Sequence, residues 1–268
     1  MKILDQASLS IQNGRASNDD RAMSVILDRV GEAADTTALF AVFDGMGGNN
    51  QYNREAGRVS SRFAEQSISK VLIPTLAELH YQAEPVSEKA MHNALAGVLT
   101  LSDQNLHARG SGFGTTASLA VVVGGMLYCA NTGDSPICLI RHQSGDGTAD
   151  VLRLYEQQNN AGFGMPDGWP DEAEFARQTR VGSSHVLRQF IGGGNVQNIP
   201  FFSEKLCQGD ILLLGSDGGL AHFTRQELID TVDSALDMQN LTVTLRKKAA
   251  VEKHENDNLT LIAVQFGA

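Results

Sequence analysis

The stretch Leu39-Phe40-Ala41-Val42-Phe43-Asp44-Gly45-Met46-Gly47-Gly48 constrains this chain more than any other. Its unbroken apolar start predicts a strand buried on both faces. The run then stops at one carboxylate and a loop almost without side chains. A carboxylate at such a junction has a fixed backbone beneath it, which suits a metal ligand that must hold its place. The glycines behind it permit positive φ and close approach of a ligand to the peptide. A tight turn that happens to contain Asp would look the same in isolation. The pattern recurs, however. Asp134 in Asn131-Thr132-Gly133-Asp134-Ser135 and Asp217 in Gly215-Ser216-Asp217-Gly218 each close an apolar run, and Asp257 in Glu255-Asn256-Asp257-Asn258 opens one.

Around these junctions the chain reads as alternating blocks of strands and helices. A strand over 7–12 leads into the Asn13-Gly14 turn, which delivers Arg15 and then the acids Asp19 and Asp20. A helix is expected over 54–80, with Ala56, Val59, Phe63, Ile68, Val71 and Leu72 facing inward and Pro74 ending or kinking it. A second is expected over 88–108, with Ala90, Ala94, Val98, Leu101 and Leu106 inside. The segment Gly110-Ser111-Gly112-Phe113-Gly114-Thr115-Thr116 imitates a phosphate loop, but it follows a helix, precedes a strand and lacks G-K-[ST]. Strands over 117–123, 125–131, 136–141 and 151–155 follow on connections too short for parallel crossovers, which excludes a doubly wound sheet. Residues 156–184 form an irregular, flap-like insertion. A strand over 211–215, a helix opened by the Thr224/Glu227 capping box and running to 236, a last helix over 241–252 and a strand over 259–266 complete the chain. No repeat or linker divides it, so 1–268 reads as a single domain.

Composition narrows the chemistry. The formal net charge of -10 over 268 residues argues against nucleic acid or an anionic membrane as partner. No apolar run approaches the ~18 residues of a membrane span, and Asp5 arrives too early for a signal peptide. Cys129, Cys138 and Cys207 are odd in number and lack C-x-x-C spacing, reading as reduced core residues of a cytoplasmic protein. Several carboxylates brought into one cleft cannot all ionise without counter-charge, and hard divalent cations with oxygen ligands supply it. An EF-hand starting at Asp44 fails at Met46, Gly48 and Asn49. The His residues show no zinc spacing, nothing marks a glycosidase pair, and G-x-S-x-G is absent.

Six segments in register resemble the PP2C (PPM) family of metal-dependent protein serine/threonine phosphatases in its compact bacterial form. They are Gly-Arg-Ala-Ser-Asn-Asp-Asp at 14–20, Phe-Asp-Gly-Met-Gly-Gly at 43–48, Gly-Thr-Thr-Ala at 114–117, Asn-Thr-Gly-Asp-Ser at 131–135, Gly-Asp-Ile-Leu-Leu-Leu-Gly-Ser-Asp-Gly at 209–218 and Asp-Asn-Leu-Thr at 257–260. The resemblance implies an α+β fold, a four-layer αββα sandwich of two antiparallel sheets flanked by helix pairs. It implies that Asp44 bridges two Mn²⁺ or Mg²⁺ ions, with the Gly45 carbonyl on one. Asp217 and Asp257 then hold the first ion, Asp19 faces the second through water, Asp20 steadies the water and Arg15 clamps the substrate phosphate. A weaker third ion is expected at Asp134 with Asp217. A water shared by two cations would attack phosphoserine or phosphothreonine in line.

The chain departs from the family in places. Asp19 stands where a longer Glu is usual, and Met46 replaces a His proposed as general acid, leaving water, His222 or His254 to protonate the leaving group. Pro136 replaces a frequent Arg, Gly219 a frequent Leu, and Ala221 offers no oxygen to the third ion. The expected partners are a phosphoprotein substrate and an opposing serine/threonine kinase, with no nucleic acid or membrane, and the chain is expected to act as a monomer in the cytoplasm. The runner-up function is a non-catalytic, phosphoprotein-binding pseudophosphatase. A phosphatase of small metabolites would share the site.

Overall fold

The computed structural model describes residues 1–28, 35–46, 55–81, 85–143, 148–159, 169–171 and 186–267. Alternating and continuous apolar runs assemble into two antiparallel sheets. The strands are β1 (Lys2–Ile11), β2 (Arg21–Leu27), β3 (Thr37–Phe43), β6 (Ala117–Val123), β7 (Met126–Thr132), β8 (Ile137–His142), β9 (Ala149–Arg153), β10 (Phe201–Lys205), β11 (Ile211–Gly215) and β12 (Leu259–Gly267). One sheet has the order β1-β12-β11-β8-β9 and the other β10-β7-β6-β3-β2. A two-stranded ribbon, β4 (Gly45–Met46) with β5 (Gly114–Thr115), adds a small third sheet.

The two larger sheets lie face to face, with Phe40 and Val42 of β3 buried in the same cluster as Leu212 and Leu214 of β11 and Ile262 of β12. The other face of β3, Leu39, Ala41 and Phe43, packs on α1 (Ala56–Tyr81) and α2 (Glu88–His107) through Ile68, Leu72, Leu95 and Leu99. A capping box at Thr224 and Glu227 opens α4 (Arg225–Asp233), which with α5 (Met238–Lys247) covers the outside of the first sheet. The expected four-layer αββα sandwich is therefore the observed architecture. Full burial of β3 explains why its sequence shows no alternation.

Several local expectations are corrected. Pro74 does not end α1, which continues to Tyr81. Val59, Val71 and Leu101 are exposed, while Ser60, Ser61, Ser102 and Asp103 face inward. Apolar spacing found part of the inner stripe, with Ala56, Ile68, Leu72, Val98 and Leu106 buried but Ala90 exposed, and it missed these polar groups because their burial depends on built-in partners. Asp103, for one, accepts the amides of Gly192, Gly194 and Val196. Cys129 and Cys138 are buried, but Cys207 is exposed. The four strands expected to pair in succession do so only as β6–β7 and β8–β9. Between β7 and β8 the chain crosses from one sheet to the other, turning at Gly133 with φ +102°, a conformation that favours glycine. Of the flap-like insertion, 160–168 and 172–184 lie outside the described residues, as do Gly47 and Gly48. Trp169 anchors the described part by donating to the Phe223 carbonyl at 3.0 Å.

The sandwich brings one set of strand ends together. Arg21 pairs with Phe43, Val42 with Ser118 and Ala117 with Thr132 in one sheet. In the other, Ile137 pairs with Leu214, Gly215 with Leu261 and Ile11 with Leu259. Every acid singled out above lies just beyond one of these ends. The candidate site residues lie immediately outside the pairing.

Candidate metal centre

Asp44 leaves β3 with its backbone held from both sides. Its amide donates to the Thr116 hydroxyl at 3.0 Å, and its carbonyl accepts the Thr116 amide and the Thr115 hydroxyl, each at 2.9 Å. The segment that imitated a phosphate loop is thus a support for Asp44. Ser216-Asp217 ends β11 and starts the short helix α3 (Asp217–Leu220), where the Ala221 amide returns to the Asp217 carbonyl at 3.0 Å. Asp217 and Asp44 lie within hydrogen-bonding reach of each other. Burial first, then repulsion from Asp20, Asp217, Asp134 and Asp257, raises Asp44 well above the carboxylate range. Asp217 is raised by burial and by Asp257.

Asp20, at the entrance to β2, is buried, and neither carboxylate oxygen makes a hydrogen bond of normal geometry. Ser216 and Thr260 lie close enough to lower its pKa somewhat, but burial and the charges of Asp217 and Asp257 still push it up to about 7. Its neighbour Asp19 is oriented by Ser17, whose hydroxyl donates to Oδ1 at 2.8 Å, and by Asn258, whose Oδ1 accepts the Asp19 amide at 2.9 Å. A Cβ on Gly57 of α1 would stand 2.6 Å from the Gly45 carbonyl oxygen and 2.8 Å from Asp19 Oδ2. Both oxygens therefore point at one glycine, in a cradle that any side chain would fill.

Asp134 sits in the sheet-to-sheet crossover. Asn159 Nδ2 donates to its Oδ2 at 2.7 Å, and burial with the charge of Asp217 pushes it up to about 7. Asp257 accepts from the Arg15 guanidinium and from the Asn258 amide. Arg15 is held above its usual pKa chiefly by that bond, and it also feels Asp217 and Asp44. Glu255 pairs with His222 at 2.5 Å. His222 holds Glu255 down to about 2, and although burial pulls His222 down, Glu255 together with the charge of Asp217 raises it above its ordinary value. His254 is exposed, at the left-handed φ of +56°.

Asp19, Asp20, Asp44, Asp134, Asp217 and Asp257 thus share one end of the sandwich with Arg15 and the Gly45 carbonyl. As they stand, no three His, Cys, Asp or Glu side chains among the described residues form a ready-made metal cage. Asp257 is turned onto Arg15 and Asp134 onto Asn159. The donor set nonetheless fits a hard divalent cation. It consists of oxygens, its charges raise one another's pKa, and the Asp20 carboxylate is buried with no hydrogen bond of normal geometry. Spacing alone missed the supports Thr115, Thr116, Asn159, Glu255 and Asn258. Only Glu255 and Asn258 lie near their acids in the chain; Thr115 and Thr116 lie about 70 residues from Asp44, and Asn159 lies 25 from Asp134.

The family model described as protein phosphatase 2C matches residues 7–150, just over half of the chain. The chain belongs to the protein phosphatase 2C family. Protein phosphatase PhpP of Streptococcus pneumoniae is 28% identical over 242 residues, covering 88% of each chain. In three dimensions the chain is similar to the S. agalactiae serine/threonine phosphatase, with TM-score 0.72 at 18% identity over 97% of this chain and 98% of that one. It is also similar to the catalytic domain of the serine/threonine phosphatase PstP in complex with two manganese ions, with TM-score 0.66 at 18% identity over 99% of each. At such identities the structural likeness speaks to the fold. The αββα sandwich is the fold the chain shares with these solved serine/threonine phosphatases.

Proposed function

We propose that this chain hydrolyses phosphoserine and phosphothreonine on proteins with the help of two Mn²⁺ or Mg²⁺ ions, opposing a serine/threonine kinase in the cytoplasm. The observation that carries the reading is the buried Asp20 carboxylate, which makes no hydrogen bond of normal geometry, among five other acids at the converging strand ends. Asp217 and Asp257 would hold the first ion, Asp44 would be shared by both, and the Gly45 carbonyl and Asp19 would serve the second. Bound there, such ions supply the missing counter-charge and lower the pKa of the water they coordinate.

The chain's own groups do the rest. Asp20 is free to accept a hydrogen bond from the attacking water and orient it. Arg15 reaches the cleft from a largely exposed loop, and its planar fork matches two phosphate oxygens. Met46 has no proton to give, so the leaving serine or threonine oxygen takes its proton from solvent. The unit proposed spans the whole chain, supported by the pairing of β1 with β12. A cytoplasmic setting is supported by free cysteines and by the absence, among the described residues, of a helix long and apolar enough to cross a membrane.

The test is release of phosphate from para-nitrophenyl phosphate and from phosphothreonine peptides, with Mn²⁺ and with chelator. Turnover that needs the metal is expected. Full activity in excess chelator, or none with Mn²⁺ on any phosphopeptide, would overturn the proposal.

A further inference from the structure

His222 lies five residues after Asp217, beyond α3, and its Nε2 stands 2.5 Å from Glu255 Oε2. The other oxygen of Glu255, Oε1, accepts two successive amides, Asn256 at 2.7 Å and Asp257 at 2.6 Å. Glu255 is itself fixed by the chain. Helix α5 widens at its end into a π-helical turn, Lys248–Glu252, and the Glu255 amide closes onto the Ala249 carbonyl at 3.0 Å. Such widened turns are frequent at functional sites. The Glu255 carbonyl accepts from Asn13 Nδ2 at 2.7 Å, which ties the same residue to the loop bearing Arg15.

One carboxylate therefore sits between the loop after Asp217 and the backbone of Asp257. Among the described residues, the Asp257 side chain adds its bonds to Arg15 and to the Asn258 amide. Its backbone is set by Glu255, and Glu255 is set by His222.

We propose that His222 and Glu255 are positioning residues, a clasp that fixes the distance of Asp257 from Asp217 and so the affinity for the cation held between them. This rests on the metal-dependent reading above. In this reading both residues act on the ion only through Asp257. Groups that orient a metal ligand from behind contribute about 10- to 100-fold to metal affinity. A clasp that merely fastened two loops would change thermal stability and leave metal affinity as it is.

The experiment is calorimetric titration of Mn²⁺ into the folded full-length chain, alongside the Mn²⁺ dependence of para-nitrophenyl phosphate turnover. His222→Ala should weaken Mn²⁺ binding about tenfold and raise the half-maximal Mn²⁺ concentration in parallel, with turnover at saturating metal within about twofold of wild type. His222→Gln, whose amide N–H reaches the place of Nε2, should restore both. Glu255→Gln should weaken binding as His222→Ala does, and it serves where that variant folds poorly. His142→Ala removes an exposed pairing with Asp233 at 2.8 Å and should leave Mn²⁺ affinity unchanged. Wild-type affinity in His222→Ala or Glu255→Gln overturns the clasp, as does a His222→Gln variant that binds Mn²⁺ no better than His222→Ala. A wild-type chain that takes up no Mn²⁺ overturns the metal-dependent reading itself, a separate and recognisable result.

Discussion

Thr116 grips Asp44 by both backbone groups, giving its amide to the Asp44 carbonyl at 2.9 Å and taking the Asp44 amide on its hydroxyl at 3.0 Å. The same hydroxyl lies 2.7 Å from Ser135 Oγ, next to Asp134. Two acids from different crossings of the sandwich are thereby tied through one threonine. Thr116→Val keeps the shape and removes the oxygen. It should destabilise the chain by about 1–3 kcal/mol, the cost of leaving a buried amide unpaired. Urea unfolding is the measurement, and wild-type stability would show that the grip is incidental.

Asp44→Asn and Asp217→Asn each keep side-chain size while removing a ligand charge. Both should leave a folded protein with turnover reduced about 100-fold or more, equivalent to ~2.7 kcal/mol in the barrier. A loss of less than about tenfold in either variant would remove that residue from the principal ligands.

Arg15 is expected to act on phosphate, with metal binding secondary. Arg15→Ala loses a charge-assisted bond worth about 1.5–3 kcal/mol, which should appear as weaker inhibition by inorganic phosphate and a higher KM. Since Arg15 also donates to Asp257, Mn²⁺ affinity is measured in the same variant. Unchanged phosphate inhibition would exclude the role.

Asp134 tests the weaker third ion. Asp134→Ala should preserve the fold and the two tighter ions, yet lower turnover and raise the Mn²⁺ concentration for half-maximal rate. If its metal titration overlays that of wild type at equal turnover, Asp134 serves only its bond with Asn159.

Acid should stabilise the metal-free chain. Asp20 and Asp134 are pushed up to about 7 in the folded state, whereas both titrate near ~3.9 when unfolded. Between those values the folded state binds more protons, so its stability falls as pH rises through that window. In chelator, the melting temperature should be higher at about pH 5.5 than at about pH 7.5, and Asp20→Asn should narrow the difference. Excess Mn²⁺ should oppose the trend, because cation and proton compete for the same carboxylates. A wild-type difference no larger than that of Asp20→Asn would count against the raised Asp20.

By itself the sequence determined the strand at 39–43, the acids at strand margins, the capping box at Thr224 and the six-segment resemblance that named the fold. These are local signals, written by apolar runs, glycines and neighbouring polar residues within a few positions. Tertiary structure decided the rest. Short connections alone did not tell that β7 and β8 part into different sheets, because a turn at Gly133 can close a hairpin or launch a crossover. Apolar spacing placed Val98 and Leu106 of α2 inside correctly but not Leu101, because Ser102 and Asp103 beside it owe their burial to partners far along the chain. Most of all, the convergence of Asp20, Asp44, Asp134, Asp217 and Asp257 depends on strand register in two sheets and on their packing. Carboxylates more than 230 residues apart in the chain, such as Asp20 and Asp257, raise one another's pKa only once those strand ends share a cleft.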